Sequence, residues 1–351
     1  MTRLRLLLLI AGMGTLVAGL PAGGSVRLGP SPSPGATADE ATALRLLGAA
    51  AHAARTRTYS GTQYVSIWRP DAASSHVADI RHTPGAGSVV TVQPTAGDPS
   101  PAGDTSVTVS SDLDVRLLSL LADHYDLAVA GTDTCAGRAA HLVEARRPGV
   151  TGEGRVAGRF WVDDESALVL RRDVFDHAGR LLRSSAFASL AVSPAVASVP
   201  DASADRVDDA ALDRLRSDGW RVPMTLPGGL DLFDARVRTH QGEDVLHLSY
   251  SDGLSTLSLF AQRGRLGSRP MGGFAEQKVA GAPVWVRSSA SPQRVVWGGG
   301  GRVFTMLTDA PPEAVRDVVE ALPHDRAPRT GFLARLSRGL SRLASWLNPF
   351  D

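Results

Sequence analysis

A few places in this 351-residue chain carry residue types that could do chemistry. Asp163, Asp164 and Glu165 stand in a row, and neighbouring carboxylates can serve as general acid and base. They sit between two alternating apolar runs, so the reading they favour is a solvated hairpin turn. Gly298-Gly-Gly-Gly301 could approach a phosphate, but no Lys-Ser/Thr follows and no helix pattern begins there; a hairpin loop is expected. Cys135 is the single cysteine, which excludes an internal disulfide and a cysteine-built metal cluster within one chain. Arg138 is its one basic neighbour in sequence, so an inert, half-buried thiol is expected there rather than a redox sensor. No Gly-x-Ser-x-Gly turn presents a nucleophile, and none of the nine His residues pairs at i, i+4. The expectation is a chain with no catalytic residue, no metal and no cofactor.

The elements around these residues read as sheets. Between residues 125 and 190 the period is two: Val156, Phe160 and Val162 share one side of a pleat, and Leu168, Leu170 and Val174 share one side of the next. Asp163-Asp-Glu-Ser166 and Asp176-His-Ala-Gly179 are turns at hairpin spacing. Upstream, an Ala- and Leu-rich helix is expected over residues 37–55, with Asp39 and Glu40 in its first turn. Strands are expected over 58–68, 75–82, 87–93 and 104–110. A helix over 112–124 carries Leu113, Leu117, Leu120 and Leu121 on one face. Two strands then flank a loop over 131–138. Tyr59, Tyr64, Trp68, Phe160, Trp161, Phe175 and Phe187 supply the large apolar positions. They fit an ordinary sheet-on-helix core, and equally a wide sheet whose partly filled face leaves a cavity for an acyl chain.

The rest of the chain divides around this sheet. Arg3 and Arg5 precede an uncharged run over 6–20, with a cleavage zone near Ala22-Gly-Gly-Ser25, so export is expected. The run is short for a membrane span, which needs about 20 apolar residues. The organisation read is a signal peptide (1–24), a linker (25–38), a first domain (39–192), a linker (193–218), a second domain (219–323) and an amphipathic helix (330–348). The second domain shows a three-strand meander, further strands, and a helix opened by Asp309 and Pro311. In the last segment Phe332, Leu336, Leu340, Leu343 and Leu347 form a stripe edged by Trp346, beside Arg335, Arg338 and Arg342. That pattern fits a helix lying on a membrane surface, and equally one docked on protein. The 37 basic and 36 acidic residues leave a formal charge of +1, which argues against a nucleic-acid partner. Lys278 is the one lysine, a style that points to a GC-rich, actinobacterial source.

The assembled fragments resemble the MucB/RseB family of envelope-stress, sigma-E-type regulators. In the first domain the carriers are Thr58-Tyr-Ser-Gly-Thr62, Gly131-Thr-Asp-x-x-Ala-Gly-Arg138, Phe160-Trp-Val-Asp-x-Glu-Ser-x-Leu168 and Leu170-Arg-Arg-Asp173. In the second they are Trp220, Leu226-Pro-Gly-Gly229, His247-Leu-Ser-Tyr-Ser-Asp-Gly-Leu254 and Ala310-Pro-Pro-Glu313. The resemblance implies an α+β fold. Its first domain would be an open antiparallel β half-barrel like the LolA and LppX carriers, with helices on its concave side, followed by a smaller antiparallel α+β domain. It also implies a non-enzymatic, extracytoplasmic protein of the cell envelope that binds a membrane anti-sigma factor and modulates its proteolysis, with lipid or lipoprotein acyl chains as a further ligand. The alternative is a lipid or lipoprotein carrier with no regulatory partner. For a partner surface the second-domain meander offers His247, Tyr250 and Asp252.

Overall fold

Helix α1, Ala38–Thr56, forms where Ala and Leu dominate and Asp39 and Glu40 occupy the positive end of the helix dipole. Its Ala43, Leu44, Leu47 and Ala50 are buried on one side. The computed structural model describes residues 38–68, 73–92, 106–108, 115–149, 154–195, 207–240, 243–266, 272–279, 281–287, 293–308, 310 and 312–325. The expected signal peptide, the linker before residue 38, the helix openers Asp309 and Pro311, and the 330–348 tail lie outside the described residues.

The chain then enters an antiparallel sheet through β1 (Arg57–Trp68), β2 (Ala73–Thr83), β3 (Gly87–Val92) and β4 (Ser106–Thr108). Helix α2 (Val115–His124) follows, then β5 (Asp126–Cys135), β6 (Arg138–Arg146), β7 (Val156–Asp163), β8 (Val169–Phe175) and β9 (Leu181–Ala195). The order across the nine strands is β4-β3-β2-β1-β9-β8-β7-β6-β5. The first strand pairs with the last, and β4 and β5 remain as edges, so the sheet is open. Close approach at the β1–β9 join requires Gly61: a Cβ there would lie 2.2 Å from the Ser189 carbonyl oxygen.

The two faces of this sheet differ. On one, Phe160, Val143, Ala145 and Val162 pack with Leu44, Leu47, Leu118 and Leu121 of the two helices. Tyr59, Ile80, Leu168 and Phe187 continue that cover under Ala53 and Ala54. A third cluster gathers Ala140, Trp161 and Leu170. Leu168 and Leu170 therefore part company, because a register shift between Trp161 and Val162 breaks the strict alternation expected of them.

Two further departures have local causes. Residues 131–138 are not a loop between strands: β5 runs on to Cys135 across a bulge between Val129 and Gly131, and the turn is Ala136-Gly137 alone. Both turn residues have positive φ (53° and 72°), the pattern of a two-residue hairpin turn. Within the stretch read as a linker, Asp208 caps a helix, α3 (Asp209–Ser217), by accepting from the Ala211 amide at 2.7 Å.

The second sheet holds β10 (Thr225–Leu226), β11 (Leu230–His240), β12 (Glu243–Ser251), β13 (Thr256–Arg263), β14 (Ala275–Val279), β15 (Ala282–Arg287), β16 (Gln293–Gly299) and β17 (Arg302–Thr308). Their order is β10-β11-β12-β13-β17-β16-β15-β14. Helix α4 (Pro312–Ala321) follows, with Val315, Val318 and Val319 buried. The glycine run expected to be a hairpin loop is one: Gly300 and Gly301 turn between β16 and β17.

By compactness the chain forms two units. Unit one takes Met1–Val207 with Gly229–Ala235 and Ser249–Thr256; unit two takes Asp208–Gly228, Arg236–Leu248 and Leu257–Asp351. Unit one therefore includes two returns from later in the chain, one of them the tip of the β12–β13 hairpin.

Candidate partner-binding site

The seven large apolar positions do not line one cavity. Phe160 and Trp161 are neighbours on β7 and must point to opposite faces. Phe160 is fully buried beneath the helices, and Tyr59 and Phe187 lie in the adjoining cluster. Trp161 belongs to the cluster with Ala140 and Leu170. Tyr64 stands in the same cross-strand row as Trp161, through Ala186 and Arg171, and is 54% exposed. Trp68 is also exposed, and Phe175 is half-buried with the Arg159 guanidinium 5.5 Å from its ring centre.

The face that holds Trp161 carries an ionic lattice. Arg138 donates from Nε and Nη2 to both oxygens of Asp163, each at 2.9 Å. Asp163 also accepts from the Ser166 amide at 2.8 Å. Burial alone would raise its pKa; the bonds from Arg138 and Ser166 outweigh that and hold it below the usual carboxylate range. Glu165 pairs with Arg138 at 2.7 Å and Asp164 with His141 at 2.6 Å. The acidic row is thus a hairpin turn, as expected, but Asp163 is 2% exposed rather than solvated. Asp133 accepts from the Trp161 indole N–H at 2.9 Å, and Arg171 stacks on the same indole at 4.5 Å while pairing with Asp173 at 2.7 Å. Cys135 is half-buried, and burial pushes its thiol up against the opposing pull of Arg171. A pocket of about 360 Å³ opens beside Arg138, with Arg57, Glu165 and Ser166 in its lining. Val192, Ser193 and Pro194 complete the lining, which is mixed in character. No three of His, Cys, Asp and Glu gather as a metal site among the described residues.

The proposed partner residues fare differently from one another. Tyr250 is fully buried, so it offers no surface; it lies between Leu248 and Ser251 on a strand whose last residues are all buried. His247 is half-buried and stacks on Phe260 with ring centres 4.2 Å apart. Asp252 organises the tip of the β12–β13 hairpin: Oδ1 accepts from the amides of Leu254 (2.9 Å) and Ser255 (2.6 Å). Its Oδ2 accepts from the Tyr125 hydroxyl at 2.7 Å. Burial, and then the Asp252 charge, push the Tyr125 pKa far up. Leu254, 2% exposed, completes the cluster of Phe160 and Leu121, and its carbonyl accepts from Arg172. Gly253 makes this approach feasible: its φ is +90°, and a Cβ would sit 2.5 Å from the Leu121 backbone. Beside it His124 meets Asp231 at 2.9 Å, and Arg116 donates to the Phe233 carbonyl at 3.4 Å. Sequence reasoning missed these partners because the bonded pairs lie between 82 and 127 residues apart.

Residues 87–211 match the family model described as the MucB/RseB N-terminal domain. The fragments beyond residue 211 lie outside that match. Among solved structures, the chain is similar to MucB of Pseudomonas aeruginosa in complex with MucA: 21% identity over 80% of this chain and 98% of that one, TM-score 0.41. A structure of MucB alone gives 18% identity over 81% and 98%, with a TM-score of 0.43. A LolA superfamily protein from Nitrosomonas europaea gives 12% over 46% and 96%, with a TM-score of 0.20. No curated protein matches the chain.

Proposed function

We propose, from the premise that this chain belongs to the MucB/RseB family through the domain matched at residues 87–211, that it is a non-enzymatic extracytoplasmic regulator. On this reading it binds the extracytoplasmic segment of a membrane anti-sigma factor and modulates that factor's proteolysis. The family match carries the reading. In support, the residues inside it that resemble acid–base machinery are occupied in structural bonds: Asp163 with Arg138, Asp164 with His141, Glu165 with Arg138. The solved MucB relatives include one in complex with MucA(peri), a partner of the expected kind. No helix among the described residues is long and apolar enough to cross a membrane. A disordered segment pays roughly 2–5 kcal/mol to order on binding, which favours a broad contact over a single pocket. An acyl-chain ligand for the first sheet is the harder proposal. Phe160, Leu47 and Leu118 are fully buried together, so α1 or α2 must move before a chain enters between them.

The test is titration of the exported form of the protein with the soluble ectodomain of a membrane anti-sigma factor from the same organism, with and without lipid. Saturable binding is expected. Tight lipid uptake with no ectodomain binding overturns the regulator and leaves the carrier. Two companion measurements address export and the tail. The mature N-terminus is expected between about residues 18 and 25. Leu340→Asp is expected to weaken binding to anionic liposomes; unchanged binding would assign the tail to protein contacts.

A further inference from the structure

Unit two contains two pairs of arginines set directly opposite each other on neighbouring strands. Like charges in that position repel, so each pair calls for a compensating group. For Arg263 and Arg302 that group is Trp220: their guanidinium carbons lie 5.7 and 4.8 Å from its ring centre. Arg287 and Arg294, opposed across β15 and β16, share no common ring among the described residues. Phe274 lies 6.0 Å from the Arg287 guanidinium, and no aromatic ring is stacked on Arg294 among the described residues. Neither arginine forms an ion pair or a side-chain hydrogen bond to a described residue, and the Nε of each is buried without a partner. The residues joining the two strands, 288–292, include no acid. Glu276 stands exposed in the row of Trp285 on the edge strand and pairs with neither arginine. Burial, and then the neighbouring Arg287, lower the Arg294 pKa, so the second positive charge is held at a cost.

We propose that Arg287 and Arg294 form a carboxylate-binding fork that receives an acidic side chain of a peptide partner. Two guanidinium groups carried on directly paired residues can both donate to one carboxylate, and an anion there cancels the repulsion between them. The surroundings favour a peptide as its source. Half-buried Phe274, beside the Arg287 guanidinium, and Leu266 pack against the buried Trp285, Val296 and Val303, so an apolar residue next to the acid can rest on them. The inference deepens the proposed function, in that the peptide would belong to the anti-sigma segment.

The experiment uses the full chain, a short capped Glu/Leu/Ser peptide, its Glu→Gln twin and inorganic phosphate. The Glu peptide is expected to bind at least about tenfold tighter than the Gln twin, as charge-assisted hydrogen bonds imply. That preference should weaken with added salt. It should vanish in the Arg287→Gln/Arg294→Gln double variant, whose melting temperature should rise because the repulsion is gone. A fork with only a structural role would lose stability on substitution and leave peptide binding unchanged. Equal binding of the two peptides, a Glu preference that survives in the double variant, or binding of phosphate alone overturns the proposal. The ectodomain titration separates the two readings. Ectodomain binding untouched by the double variant sinks the fork and spares the regulator. Glu-peptide binding without ectodomain binding does the reverse.

Discussion

The bond between Tyr125 and Asp252 makes a prediction that depends on pH in a way packing alone does not. Tyr125→Phe removes a hydroxyl that donates to a carboxylate at 2.7 Å from a side chain 8% exposed. A hydrogen bond to a charged group contributes about 1.5–3 kcal/mol. Asp252 keeps two backbone donors on its other oxygen, so the lower end, about 1.5 kcal/mol, is expected at pH 8. The alkaline side differs. A free tyrosine ionises near about pH 10, but burial and the Asp252 charge push the folded-state pKa well above that. Above the unfolded-state value the unfolded chain has lost a proton that the folded chain retains, so stability falls as pH rises, by about 1.4 kcal/mol per unit. Phenylalanine has no such slope. The difference between wild type and variant should therefore shrink to near zero at about pH 11. Urea unfolding of both proteins at pH 8, 10 and 11, followed by circular dichroism, measures it, and other titrating groups cancel in the difference. A gap that stays constant from pH 8 to 11 would refute the buried, proton-holding tyrosine.

Arg138→Ala leaves Asp163 buried without its main partner and is expected to cost about 3–5 kcal/mol in thermal or urea unfolding. Because the folded-state pKa of Asp163 is depressed, its stabilisation is present above the ordinary carboxylate range and lost as pH falls below it; the variant should show a shallower acid-side decline. Leu254→Ala empties a site 2% exposed among Phe160 and Leu121, and unfolding should show a loss of about 2–5 kcal/mol. Ala136→Asn places a residue tolerant of left-handed backbone where φ is 53°, and the melting temperature should rise by an amount equivalent to about 1 kcal/mol.

Elements governed by local pattern were legible from sequence. The alternation over 156–162 marks β7, and the Ala/Leu helix with its two acids is α1 to within a residue or two. The turn chemistry of Asp163–Ser166 was also readable, but the depth of Asp163 was not, since its burial depends on Arg138 arriving from the preceding hairpin. Residues 131–138 misled because Gly131 looks like a loop glycine and instead follows a bulge within β5, paired with Leu142. The α3 cap was available in the run Asp208-Asp-Ala-Ala211, and the Ala, Ser and Pro content upstream obscured it. Tyr250, expected at a partner surface as part of the second-domain meander, is buried because the period-two rule places it with Leu246 and Leu248. The aromatic set was over-read for the same reason: large apolar residues on both faces of one sheet were counted toward one cavity.

Several residues in the fragments that carry the family resemblance share a structural property with a functional consequence. Gly61 permits the β1–β9 join, Asp133 and Arg138 bind Trp161 and Asp163 across hairpins, and Asp252 with Gly253 seats Leu254 in the core of unit one. Each is committed to holding the scaffold, and its polar atoms already have partners. A residue in that condition gains little by meeting a ligand, because any new bond replaces one already made. Recognition of a partner should then fall on groups the scaffold leaves strained or under-bonded, and these need not lie in the fragments that reveal the family. Arg287 and Arg294 meet that description: they stand outside every such fragment, they repel each other, and their buried Nε atoms have no acceptor among the described residues. On this argument, substitutions in the family fragments should lower stability with affinity following it, whereas substitutions at the arginine pair should separate the two, raising stability while affinity falls. A set of variants that instead moved stability and affinity together at both places would show that the scaffold and the recognition surface are one.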